Sequence, residues 1–267
     1  MTTIFDNLVF DRVLGAVFEN SNGELLGGLN QIQNFSVDTS STTKDKTDAQ
    51  GVLIKRIYTA KTVEVSGENA VYSLDLSALQ FGSEKEIGSA DNKIRLPKII
   101  QTTVETGETY ELPNTPVDGT ITVCPLTSQG TPDVANQYKL GSTATATDFV
   151  YASEGNKITM PTGTAGKRVQ IKYEYDAEDA VKVSQVSDKF PEECKATFSI
   201  LAYDVCDKTT LRHLYLVFPS FQMSPDHNIS FNTEDTQSFS ATATKDYCAA
   251  KGQELFYIAM SEDDTEE

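Results

Sequence analysis

"TTKDKTDAQGVLIKRIYTAKTVEVSGENAVYSLDLSALQFG", Thr42 to Gly82, holds three textures in one run. It opens on about ten charged or small polar residues, passes into a long extended segment, and ends in a short Leu- and Ala-rich stretch. The polar start reads as a soluble loop over Asp38–Gly51, set directly before one of the best strand signals in the chain. In the last part, Val71, Leu74 and Ala78 fall at helical spacing, with Tyr72, Leu76 and Leu79 beside them. Leu, Ala and Gln favour a helix there, with Asn69 as the expected N-cap and Gly82 as the stop.

Outside this run strand signals dominate. "RVQIKYEY" (Arg168–Tyr175) puts Val169, Ile171, Tyr173 and Tyr175 on one face and Gln170, Lys172 and Glu174 on the other. That alternation predicts a half-buried antiparallel strand. "KATFSILAYDV" carries apolar groups on both faces, as do "LRHLYLVF" and "ELFYIAM", while "QSFSATATKDY" alternates through Phe239, Ala241 and Ala243. The predicted class is mainly all-β with one short helix.

From about Thr103 to Ala177 the texture changes to Thr, Gly, Pro and short strands: "GETYELP", "GTITVCPL", "NQYKLGS", "FVYASEGNKITMP" and "GKRVQIKYEY". Strands spaced by roughly eight to twelve residues predict a small β-sandwich, with "EYDAEDAVKVS" as its exit linker. The expected organisation is discontinuous: 1–102, an inserted sandwich 103–177, and 178–267.

Composition bounds the function. The 267 residues are 39% hydrophobic with 13 Phe and 11 Tyr, enough to bury a core. The net charge of −17, from 22 basic against 39 acidic residues, repels phosphate backbones and argues against tight nucleic-acid binding. A wall that repels DNA still suits DNA sliding past it. No apolar run approaches the ~20 residues of a membrane helix. The start, "MTTIFDNLVFDRVLGAV", reads as mature sequence and not as a signal peptide.

Catalytic patterns are missing. The two histidines stand far apart: His213 inside "LRHLYLVF" on the face of Tyr215, and His227 after Pro225 and Asp226 in a turn. No H-x-H, phosphate loop or dinucleotide fingerprint occurs. Cys124, Cys194, Cys206 and Cys248 form no C-x-x-C pair, so they read as reduced, mostly buried thiols. Asp204, beside Asp207, reads as a strand-end turn residue, and Asp263–Glu267 as a solvated, mobile tail. No cofactor, metal or enzymatic activity is expected.

The segment from "FSVDTSSTTKDKTDAQG" through "VLIKRIYTAKTVEVSG" to the short helix resembles the N-terminal part of phage tail tube proteins, with Asp48 and Gly51 leading into the strand. The end, "LYLVFPSFQMSPDHNISFNTEDTQSFSATATKDYCAAKGQELFYIAM", resembles them too, through its Phe-Pro step and its alternating segment before an apolar closing strand. The resemblance covers roughly the flanking two-thirds of the chain. The insert resembles the Ig-like decorations of phage tail proteins, although it lies between the halves of the tube domain and not at the C-terminus.

The resemblance implies a β-sandwich or half-barrel that forms hexameric rings, stacked into the virion tail tube through which the genome passes. Implied partners are further copies of the chain and other tail proteins: terminator, baseplate or tip, tape measure and sheath. It also implies transient DNA passage, no membrane insertion, and assembly in the host bacterial cytoplasm. In the family the loop equivalent to Asp38–Gly51 reaches a neighbouring subunit, which makes Asp38, Thr42, Lys44, Asp45, Lys46, Asp48, Gln50 and Gly51 candidate contact residues. The competing reading is a capsid or tail decoration module, or an adhesin-like binding module with an Ig-like domain. Rings or hollow filaments of purified protein favour the first reading, and discrete monomers or trimers the second.

Overall fold

The computed structural model describes residues 8–205, 210–233, 235–245 and 254–265. The chain divides into two compact units: Met1–Lys85 with Val183–Glu267, and Glu86–Lys182. In chain order the first unit opens with β1 (Leu8–Glu19), β2 (Leu25–Leu29), β3 (Ile32–Thr47), β4 (Leu53–Asn69) and helix α1 (Leu74–Phe81). The second unit holds β5 (Glu86–Ile87), β6 (Ile94–Thr103), β7 (Thr109–Glu111), β8 (Thr122–Pro125), β9 (Lys139–Leu140), β10 (Asp148–Ala152), β11 (Lys157–Thr159), β12 (Arg168–Ala177) and β13 (Val181–Lys182). The first unit resumes with β14 (Glu193–Asp204), β15 (Leu211–Met223), β16 (Gln237–Ala243) and β17 (Tyr257–Thr265). The protein is mainly β.

The first unit is built on one antiparallel sheet of order β2-β1-β14-β15-β16-β4-β3, with β17 also paired to β15. Alternation places its core: Gln237, Phe239, Ala241 and Ala243 of β16 are buried with exposed Ser and Thr between them. Phe198 is fully buried. Its ring lies 4.5 Å from Phe35, 5.8 Å from Phe218, 6.0 Å from Phe221 and 6.2 Å from Phe18, centroid to centroid. Several of these pairs meet edge-on, the geometry that the ring quadrupoles favour.

The Phe-Pro step has a topological reason. β15 pairs with β17 up to Val217 and with β16 from Phe221, and its register against β14 shifts between Phe218 and Phe221. Pro219 therefore sits where the ladder is interrupted, and its missing N–H leaves no partner unsatisfied.

The helix begins later than its spacing predicts. Asn69 is the last residue of β4, paired with Gln237 and Ile32, and so cannot cap. Ser73 is the N-cap, with Oγ accepting from the Leu76 N–H at 3.3 Å. Gly82 stops the helix as expected, at φ 63° and ψ 34°. Its N–H donates to Leu79 O and the Ser83 N–H to Ala78 O, the Schellman arrangement.

A buried amide fastens this helix to the sheet from far along the chain. Gln237 Oε1 accepts from the Ser73 N–H at 2.8 Å, while Nε2 donates to Ser77 Oγ at 3.1 Å. Gln80 Nε2 donates to Ser238 O at 2.9 Å.

In the second unit, sheets β6-β12-β8 and β7-β11-β10-β9 share one apolar core that includes Val123, Phe149, Ile158, Val169, Ile171 and Tyr173. It is a small β-sandwich, and each short strand read between Thr103 and Ala177 is present. Its limits are wider than the composition shift suggests. β6 pairs with β12 along ten positions, from Arg168↔Thr103 to Ala177↔Ile94, so Ile94–Thr103 belongs to this unit. The segment read as an exit linker contains β13, whose Val181 and Lys182 pair with Ile87 and Glu86.

Candidate assembly surfaces

The stretch expected to be a loop is half of a long hairpin. β3 and β4 stay paired from Ile32↔Asn69 out to Thr47↔Leu53. β4 is paired to β16 only from Val63 to Asn69. Beyond Val63 the hairpin therefore runs on as a two-stranded ribbon of roughly 30 Å, at about 3.4 Å per residue. Every residue from Thr39 to Lys61 is exposed, and burial begins only at Thr62 and Val63 at the base. Thr suits strands, and cross-strand pairing satisfies the ribbon's backbone. Polarity on both faces reflects an absence of core beneath the ribbon, not an absence of strand.

The tip explains the Asp and Gly. Asp48 Oδ1 accepts from the Gln50 N–H at 2.9 Å and the Val52 N–H at 2.8 Å. Asp48 N–H donates to Val52 O at 2.9 Å, and Gly51 turns the chain at φ 84°. An Asx turn followed by a left-handed glycine closes such hairpins.

Of the other candidate contact residues, Thr42, Lys44, Asp45 and Lys46 lie along the ribbon, and Asp38 stands at its base where β4 still pairs with β16. Asp38 is opposite Glu64, Thr42 opposite Ala60, Lys44 opposite Ile57, Asp45 opposite Arg56 and Lys46 opposite Lys55. Arg56 holds Asp45 through Nε and Nη2 at 2.8 and 2.9 Å. That hydrogen bonding keeps the Asp45 carboxyl below its usual range and raises Arg56. Apolar side chains on the returning strand stay in water: Val52, Leu53, Ile54, Ile57 and Tyr58, the last 69% exposed. A two-stranded ribbon is marginal by itself.

Sheet edges form the second feature. β1 pairs with β14 along its whole length, but with β2 only from Ala16 to Glu19. Its outer edge over 8–15 has no strand partner among the described residues, and Phe10 there is 63% exposed. Among the described residues β17 is likewise paired on one side, to β15, and it carries the exposed Tyr257 and Ile258. It extends to Thr265, so the acidic stretch beginning at Asp263, expected to be a tail, starts inside a strand. Glu266 and Glu267 lie outside the described residues.

The third is a cleft of about 1000 Å³ in the first unit, beside β2 and the C-terminal end of α1. Its wall includes Val17, Leu25, Leu26 and Phe190, all exposed apolar side chains.

The residues weighed for chemistry are structurally occupied. His213 stacks on Tyr215 at 6.1 Å and 13°, with Nδ1 3.3 Å from Ser199 Oγ. His227 Nδ1 lies 2.8 Å from Pro225 O, and its ring packs on Phe81. Cys124 and Cys194 are buried free thiols, and burial pushes Cys194 up to about 12. Cys206, Asp207 and Cys248 lie outside the described residues, and Asp204 ends β14. No helix among the described residues is long and apolar enough to cross a membrane.

The sequence model of the YomU/Tube protein family matches residues 12–258, nearly the whole chain. The chain belongs to the YomU/Tube protein family. The family identifies a phage tail tube structural protein, a virion component that associates with itself and with other tail proteins. Such tube proteins are generally not enzymes. A search of curated proteins finds no match.

An unpaired strand edge is a hazard in a monomer and a joint in an assembly. Sequence reasoning missed β1 and β17 as edges, because which strand lies last in a sheet is a property of long-range pairing. The only local sign was apolar character on positions that ended up in water, such as Phe10 and Ile258.

Proposed function

We propose that this tube protein assembles into hexameric rings whose sheets join edge to edge, and that the rings stack into the hollow conduit for genome delivery. The reading rests chiefly on one observation: among the described residues, β1 over 8–15 and the outer side of β17 have no strand partner, and the two lie at different places in the same sheet. Two different edges joining head to tail make a heterologous contact, which closes into a ring when the rotation fits. The net charge of −17 suits a conduit that does not hold DNA.

The ribbon, with Asp38, Thr42, Lys44, Asp45, Lys46, Asp48, Gln50 and Gly51, is the contact with a neighbouring subunit. The sandwich of residues 86–182 is an Ig-like decoration inserted between the halves of the tube domain. Terminator, baseplate or tip, tape measure and sheath proteins are its further partners, met after assembly in the host bacterial cytoplasm.

The test is imaging of the purified protein at high concentration by negative stain, with size-exclusion chromatography. Rings or hollow tubes are expected. Deleting Thr42–Asp48 leaves a folded monomer that does not polymerise. A wild-type protein that stays monomeric at every concentration refutes the tube reading, and normal tubes from the deletion variant refute the ribbon's role.

A further inference from the structure

The ribbon differs in charge from the protein that carries it. Over residues 39–61 it holds five basic side chains, Lys44, Lys46, Lys55, Arg56 and Lys61, against two acidic ones, Asp45 and Asp48. The whole chain has 39 acidic residues against 22 basic. One acid on the ribbon, Asp45, is already neutralised by Arg56. What the ribbon presents is lysine together with Leu53, Ile54, Ile57 and Tyr58.

The cleft beside β2 has the complementary pattern. Glu24, Glu84, Asp188 and Glu192 stand exposed on its rim, and Leu25, Leu26 and Phe190 supply exposed apolar wall. Lys85 and Lys189 are also present, and Lys85 is engaged by Asp75. At about 1000 Å³ the cleft can take several side chains, being as large as pockets that bury a drug-sized ligand. β2 is one end of the strand order and β3 the other. The ribbon's side chains are in water, so the cleft of the same copy does not receive them.

We infer that the basic, apolar ribbon of one copy docks into the acidic, apolar cleft between β2 and α1 of a second copy. The contact is heterologous, using two different patches, and so propagates from copy to copy. Charge sets the pairing and excludes ribbon from ribbon and cleft from cleft, while the apolar groups are removed from water at its centre. The inference rests on the self-assembly proposed above and specifies the receptor surface. A basic ribbon could also attract nucleic acid, but an acidic protein with a matching acidic cleft favours a second copy.

The experiment uses two full-length variants. K44E/K46E/K55E makes the ribbon acidic, and E24K/E84K/E192K makes the cleft basic. Each alone brings like charges together, so the assembled fraction by sedimentation falls at least tenfold. Mixed in equal amounts, each variant's ribbon meets an opposite cleft, and assembly returns to within about twofold of wild type. Circular dichroism confirms that both variants are folded. Wild-type assembly by the ribbon variant alone overturns the inference. So does failure of the folded mixture to assemble, or a ribbon variant that assembles normally and has lost only retention of a duplex DNA probe. If wild type itself does not assemble, the tube reading fails instead.

Discussion

Gly82→Ala is the substitution whose consequence the geometry fixes most tightly. Gly82 ends α1 in the left-handed region, where an L side chain costs about 1–2 kcal/mol. A Cβ there also meets the Phe190 carbonyl oxygen at 2.1 Å and Pro191 N at 2.8 Å, where real contacts stay beyond 3.0 Å. The Phe190–Pro191 backbone must retreat, straining packing by about 1–3 kcal/mol. That movement also disturbs the bond from Gln222 Nε2 to Pro191 O at 2.9 Å, about 1 kcal/mol more. The expected loss is about 3–6 kcal/mol in the first unit. Gly23→Ala is the control: φ is 81° and nothing lies within 4 Å, so only the backbone cost of about 1–2 kcal/mol applies. Urea titration of dilute protein, read by peptide-resolved hydrogen exchange, measures each unit separately. Equal losses in the two variants, within about 0.5 kcal/mol, refute the close approach of residues 82 and 190. Since Gly82 and Phe190 both line the cleft, the same substitution should weaken assembly.

Phe198→Ala removes a fully buried ring with four aromatic neighbours and should destabilise the first unit by about 3–5 kcal/mol, leaving exchange in residues 86–182 unchanged. Gln237→Leu strands the Ser73 N–H at the start of α1, with an expected loss of about 1–3 kcal/mol by the same titration. For Cys194 the folded thiol titrates near 12, above its ordinary 9.0. The protection is therefore complete below pH 9 and is lost as pH rises toward 12, at up to about 1.4 kcal/mol per pH unit. Wild type should lose stability over that range relative to Cys194→Ala, and iodoacetamide at pH 8 should label Cys194 only after unfolding, as read by mass spectrometry. Finally, residues 86–182 expressed alone should give a cooperatively folding monomer by circular dichroism and sedimentation.

The sequence disclosed those parts of the fold where one face is buried and the other wet. β12 and β16 were legible because Val169, Ile171 and Tyr173, and Phe239, Ala241 and Ala243, alternate with polar residues and are buried. The ribbon was misread for the same reason inverted: with no core beneath it, nothing in its hydropathy alternates. Its true signature was smaller, an Asp and a Gly three residues apart between two runs of extended character. Asn69 was a reasonable cap locally, but the competing ladder to Gln237 lies far along the chain. Ile94–Thr103 looked like host sequence because its partner, Arg168–Ala177, is remote. The candidate contact residues all fall on one hairpin. The cleft was invisible, since its rim is drawn from β2, α1 and the segment before β14.

The pairing of Glu86–Ile87 with Val181–Lys182 has a practical corollary. Strand partners lie about 5 Å apart, so the chain departs and returns at nearly one point. To the host sheet a whole sandwich is thermodynamically a short detour, because closure entropy grows only with the logarithm of loop length. The site is thus a natural socket. A foreign module whose own termini meet could be grafted there, and a polymer of this protein would carry it at a regular pitch.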